Sequence, residues 1–74
     1  MRVLIAGAGE VGFRVARDLV YRGHEVTLVD SNPTAVKRAQ TLDVQVFQGN
    51  AASPRLLFDE ASLEDADVFI GVTG

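Results

Sequence analysis

The sequence has no cysteine and no tryptophan, and only one histidine and two prolines in 74 residues. Without cysteine there is neither a disulfide scaffold nor a thiolate metal site, and a reducing compartment is the natural setting. No Ser/His/Asp, Cys/His or His/His constellation is present for nucleophilic or metal-assisted catalysis. Long apolar runs are missing as well. Val3–Gly9 and Val68–Val72 are the longest, against roughly 20 residues for a membrane helix. No charged segment followed by an apolar one opens the chain, so no secretory signal is expected. Nor is there an excess of positive charge: seven Lys+Arg face ten Asp+Glu, for a net charge of −3 and a pI near 4.8. That balance argues against non-specific binding to nucleic acid or to acidic membrane surfaces. What remains is a chain with 47% apolar residues, ordinary for a globular protein and too apolar for disorder. One small domain in a soluble, intracellular setting is the expectation.

Short β-rich runs alternate with longer helical stretches. Val3-Leu4-Ile5-Ala6 is a continuous apolar run closed by Gly7, which suits a strand buried on both faces of a parallel sheet. Val11, Val15 and Leu19 then recur at helical spacing, with Ala16 and Val20 beside them, Arg22 in the last turn and Gly23 just past it. Tyr21 on the same helix reads as a packing residue. Glu25–Val29 returns to strand. Asn32-Pro33 reads as a helix cap followed by a first-position proline, with Val36, Ala39 and Leu42 as the inner face. Val44–Gln48 alternates as a third strand, and Ser53-Pro54 repeats the cap signal for a helix carrying Leu56, Leu57 and Ala61. Val68–Val72 is the fourth strand. The order βαβαβαβ predicts right-handed crossovers and an α/β, doubly wound, Rossmann-like parallel sheet with strand order 3-2-1-4.

Gly7-Ala8-Gly9-Glu10-Val11-Gly12 fits G-x-G-x-x-G, and it lies where a buried strand gives way to an amphipathic helix. Gly7 permits the tight turn, Gly9 lets backbone approach a pyrophosphate, and Gly12 lets the helix pack close to the strands. The first-turn amides and the helix dipole then form an anion site. Asp30 closes the second strand, where a carboxylate accepts hydrogen bonds from adenosine ribose hydroxyls and repels a 2′-phosphate. NAD(H) is therefore favoured over NADP(H). Asp30 also suits a turn before Pro33, and both roles are compatible. The Glu10 side chain is expected to face solvent, because a carboxylate beside a phosphate repels it. Arg14 reads either as a solvated surface arginine or as a source of positive potential.

These residues resemble a family. Gly7–Gly12, then Thr27-Leu28-Val29-Asp30, then Gly49-Asn50-Ala51-Ala52 ahead of Leu56-Leu57, then Ala66-Asp67 running into Ile70-Gly71-Val72-Thr73, are similar to the TrkA N-terminal domain. That domain, also called RCK or KTN, is the nucleotide-binding module of potassium-uptake regulators. The resemblance covers the whole chain in order. It implies that Gly7, Ala8, Gly9, Glu10 and Val11 cradle the phosphates, that Asp30 holds the ribose, and that Asn50 and Ala51 line the adenine side. Thr73 and Gly74 would approach the middle of the dinucleotide. It further implies a non-catalytic sensor of NAD(H), or of ATP and ADP. Such modules form dimers and rings on the cytoplasmic face of a membrane potassium channel or transporter, without inserting into the membrane, and bias its gating.

Other chemistry finds little support in the residues. His24 falls on the turn between the first helix and the second strand, at the sheet edge opposite the ligand crevice, and reads as a surface residue. Glu60, Glu64, Asp65 and Asp67 read as a solvated acidic stretch rather than a cation site. The rival readings are the N-terminal half of an NAD-dependent dehydrogenase and an S-adenosylmethionine or flavin protein. Because relatives of the family continue through further strands, the chain is expected to be the adenosine half of a dinucleotide-binding domain, truncated after its fourth strand. An unpaired fourth strand then favours dimerisation or marginal stability.

Overall fold

The computed structural model describes residues 1–7, 9–50, 55 and 65–71. Six elements run through them: β1 (Arg2–Ala6), α1 (Glu10–Tyr21), β2 (Glu25–Asp30), α2 (Pro33–Ala39), β3 (Gln45–Gln48) and β4 (Val68–Gly71). The strands form one parallel sheet in the order β3-β2-β1-β4. That is the order expected from alternating strands and helices. The third helix expected around Leu56 and Leu57 falls outside the described residues apart from Arg55, which is helical. Val72 lies outside them too.

Alternation along β1 fixes which side chain faces which layer. Val3 and Ile5 join Val26, Leu28, Ala16 and Ala39 in the core beneath α1 and α2. Leu4 and Ala6 point the other way, yet both are buried. A strand covered on both faces has no use for polar residues, which is why β1 reads as one apolar run. Cross-strand pairs place Arg2 opposite Glu25 and Asp30 opposite Gln48. Arg2 and Glu25 form an exposed ion pair at 3.2 Å. The start of β4 is tied to β1 by a reciprocal pair: Arg2 N donates to the Asp67 carboxylate and Asp67 N to the Arg2 carbonyl, each at 2.8 Å. Asp67 is thus a strand fastener as well as a solvated turn residue.

The helix ends follow from local chemistry. The α1 C-terminus closes with Gly23 N donating to Val20 O and His24 N to Leu19 O, a Schellman pattern that places the residue after the cap in left-handed backbone. Gly23 supplies it at φ +89°. At α2, the Asn32 side chain accepts from Thr34 N at 2.9 Å and Pro33 takes the first helical position. Val36 and Ala39 are buried and Leu42 packs against them.

Most of the expected α1 stripe is borne out, with Ala16 in the core and Val15, Leu19 and Val20 packed against it; Val11 and Tyr21 depart from it. Val11 is 61% exposed and Tyr21 90% exposed, while Gly12, Phe13 and Ala16 are buried. At about 100° per residue, an arc centred on Gly12 and Ala16 takes in Phe13, Leu19 and Val20 and leaves Val11 and Tyr21 outside. The helix turns its smallest residues to the sheet because it lies so close to it. The edge strand β4 shows Val68 at 37% and Phe69 at 47% exposure.

Leu28 sits at 0% exposure in the central strands, so Leu28→Ala is expected to cost about 2–5 kcal/mol in urea unfolding. A loss below about 1 kcal/mol would show that this face collapses freely around the cavity.

Candidate functional site

The carboxyl ends of β1, β2 and β3 lie side by side, and with them the turns that leave each strand. Gly7 leaves β1 at φ +105°, a backbone region closed to most L residues. Its N–H donates to Val29 O at 2.7 Å, so the turn is bonded to the neighbouring strand. Gly12 then passes directly over it. A Cβ on Gly12 would stand 2.1 Å from the Gly7 carbonyl oxygen and 3.2 Å from its carbon. No side chain fits there.

Gly9 is different. Its φ of −67° and ψ of −168° are ordinary extended backbone, and among the described residues a Cβ would meet nothing within 4 Å. Neither its conformation nor packing among the described residues demands glycine at this position. Gly9 is also the N-cap of α1 and has no side chain to cap with. The first-turn amides of Glu10, Val11 and Gly12 have no intrahelical acceptor, and they sit at the positive end of the helix dipole. Open space above a glycine, beside uncapped amides, fits a phosphate oxygen in shape and in charge.

Asp30 ends β2, half-buried, with Oδ1 accepting from Asn32 N at 2.7 Å. It thus performs the turn role; a carboxylate also has lone pairs for more than one donor. The Asp30 carbonyl accepts from Gly49 N at 2.9 Å, and exposed Asn50 follows. Gly7, Gly9, Glu10, Val11, Gly12, Asp30 and Asn50 therefore share one edge of the sheet. Ala8, Ala51, Thr73 and Gly74 lie outside the described residues.

The Glu10 carboxylate is exposed, as expected, but not alone in solvent. Arg14 Nε lies 3.3 Å from Oε1, and Arg38 Nη1, reaching from α2, lies 2.5 Å from Oε2. The Arg38 guanidinium also covers the Phe13 ring, 4.1 Å from its centroid. Hydrogen bonding to Arg38 and then its charge hold the Glu10 carboxyl below the usual glutamate value, with a smaller contribution from Arg14. The Glu10–Arg14 pair is visible in sequence as an i,i+4 spacing. Arg38 is 28 residues away, and only the adjacency of α1 and α2 brings it in.

The profile of the TrkA-N domain matches residues 3–74. The chain belongs to the TrkA-N domain family. The "Trk system potassium uptake protein TrkA homolog" of Archaeoglobus fulgidus is 45% identical over 74 residues, which is all of this chain and 16% of that protein. Among solved structures, the Kef CTD of Shewanella denitrificans in its AMP-bound form is 32% identical, with a TM-score of 0.75 over 93% of this chain and 40% of that one. The UDP-glucose 4-epimerase of Bifidobacterium longum, in complex with NAD+ and UDP, has a TM-score of 0.77 at 24% identity, covering 100% of this chain and 24% of its own. At that identity it shows the shared fold.

The other end of this TrkA-N sheet offers no comparable chemistry. An open groove of about 740 Å³ is lined by Arg2, His24, Glu25, Asp43 and Asp65 at the amino ends of the strands. Ligands of parallel α/β sheets bind outside the carboxyl ends, and β2 separates His24 from Asp30 by about 20 Å. Among the described residues, no cluster of three or more His, Asp or Glu is placed to hold a metal, and no helix is long and apolar enough to cross a membrane.

The low Glu10 value fixes a sign. The Glu10–Arg38 pair contributes stability above the unfolded-state glutamate pKa and loses it as pH falls through the lower folded-state value. Carboxyl NMR titration is expected to place Glu10 below the ordinary 4.5, and Arg38→Gln to move it upward. An unchanged titration in that variant would remove Arg38 as the cause.

Proposed function

We propose that this chain is the adenine-nucleotide-binding part of a non-catalytic regulator of potassium uptake. Gly9 carries the reading: a glycine that nothing among the described residues requires, with open space above it and helix amides that no side chain caps beside it. The amides of Gly7, Ala8, Gly9, Glu10 and Val11 would receive the phosphates, with Gly12 setting the helix in place. Asp30 would accept from the ribose, Asn50 and Ala51 would flank adenine, and Thr73 and Gly74 would approach the middle of a dinucleotide. The ligand class is NAD(H) or a mononucleotide such as AMP, ADP or ATP. The AMP-bound form of a relative at 32% identity supports that class.

The chain spans 16% of the length of the Archaeoglobus relative, so the action of the whole protein is proposed from its kin. That protein and others of 38–40% identity are named as Trk system potassium uptake proteins. In this reading the partner is a membrane potassium channel or transporter. The module forms a homodimer or larger ring at the cytoplasmic face, and the nucleotide state biases gating. The single histidine stands at the opposite edge of the sheet, which supports sensing rather than turnover.

NADH or AMP at a hundred times its Kd is expected to stabilise the fold by about 2.7 kcal/mol, raising the melting midpoint by roughly 10 °C or more. Asp30→Asn keeps a side-chain oxygen for Asn32 N but loses the charge. It is expected to weaken binding about ten- to a hundredfold, the range for a charge-assisted hydrogen bond. Calorimetry showing no binding of NAD(H), AMP, ADP or ATP to the full-length protein would overturn the proposal.

A further inference from the structure

The Glu10 carboxylate sets a problem that the glycine turn does not solve. It stands on the first residue of α1, within one helical turn of the amides that receive phosphate in the reading above, and like charges so close repel. Two guanidinium groups answer it from different directions. Arg14 comes from the next turn of the same helix, and Arg38 from α2. Arg38 is held in place. Its guanidinium lies on the ring of Phe13, a buried side chain of α1. Its carbonyl accepts from the Thr41 hydroxyl at 2.7 Å and the Thr41 N–H at 3.1 Å, closing the end of α2. A planar guanidinium that hydrogen-bonds a carboxylate and stacks on an aromatic face is a use of arginine that lysine does not fully reproduce. The three side chains together carry one positive charge. Without Arg38 they carry none.

Resting on the nucleotide reading, we propose that Arg38 is a specificity-determining residue of the phosphate site, cancelling Glu10 so that the α1 N-terminus accepts a multiply charged phosphate chain. Its effect is electrostatic and therefore scales with ligand charge. Adenosine, with no phosphate, is indifferent to it. AMP depends on it less than ADP, and ADP less than ATP. Because Arg38 acts through Glu10, removing the carboxylate removes the need for the arginine. The sequence hides this link, since Glu10 and Arg38 meet only after α1 and α2 have packed on the same face of the sheet.

A double-mutant cycle on the full-length protein tests it, with adenosine, AMP, ADP and ATP titrated by calorimetry at low salt. Arg38→Gln is expected to weaken ADP binding about five- to tenfold, the size of one unit charge acting at several ångströms in a partly solvated site. Adenosine should stay within about twofold. Adding Glu10→Gln to Arg38→Gln restores the wild-type charge of +1 and should bring ADP affinity back to within about twofold of the wild type. Arg38→Lys should keep most of the wild-type affinity, and the Arg38→Gln defect should shrink in concentrated salt as the charges are screened. Equal losses for adenosine and ADP, or no recovery in the double variant, would overturn the proposal and assign Arg38 to packing on Phe13. If the wild-type protein binds none of the four ligands, the nucleotide reading fails first and this inference falls with it. That result differs from binding that ignores Arg38.

Discussion

The approach of Gly12 to the Gly7 carbonyl governs this structure. With 2.1 Å between that oxygen and any Cβ at position 12, α1 can lie where it does only over a glycine. That closeness brings Ala16 and Phe13 into the core, turns Val11 outward, and stacks the first helical turn directly above the end of β1. The turn beneath is fixed from the other side, because Gly7 is both in left-handed backbone and bonded to Val29. Two glycines are therefore consumed by the fold. The third, Gly9, meets no such contact among the described residues.

Much of this was legible in the chain itself. Strand order follows from alternation and handedness. The Asn32-Pro33 cap and the Gly23 stop are local chemistry with one structural solution each, and the structure adopts both. The glycine spacing placed the turn because strand, turn and helix adjoin in sequence. The rotation of α1 was legible only in part: Val15, Ala16, Leu19 and Val20 meet the core as their spacing predicts, but Val11 does not. Val11, Val15 and Leu19 form a plausible stripe by themselves, but the sheet-facing line is chosen by the smallest side chains, Gly12 and Ala16, once the helix is pressed close. Tyr21 follows the same rotation into solvent. Arg38 was hidden for a related reason: its partners Glu10 and Phe13 belong to another helix, and no spacing rule reaches across 28 residues.

The charge arrangement sharpens the division between the two sheet edges. At the carboxyl edge, helix amides, a dipole and two arginines surround a single carboxylate from α1, with Asp30 set apart at the end of β2. At the amino edge, Glu25, Asp43, Asp65 and Asp67 gather around Arg2 and His24. This division is what the proposed anion site at the carboxyl edge rests on. An open groove also lies at the amino edge, but its lining is mainly acidic and does not suit an anion.

The most direct test of the account is an amide NMR titration of the full-length protein with ADP, resolved by residue. The account predicts the largest shifts at Gly7, Gly9, Glu10, Val11 and Gly12, with Asp30 following and the His24–Glu25 turn unmoved. Shifts centred on His24, Asp43 and Asp65, with the glycine turn silent, would contradict it.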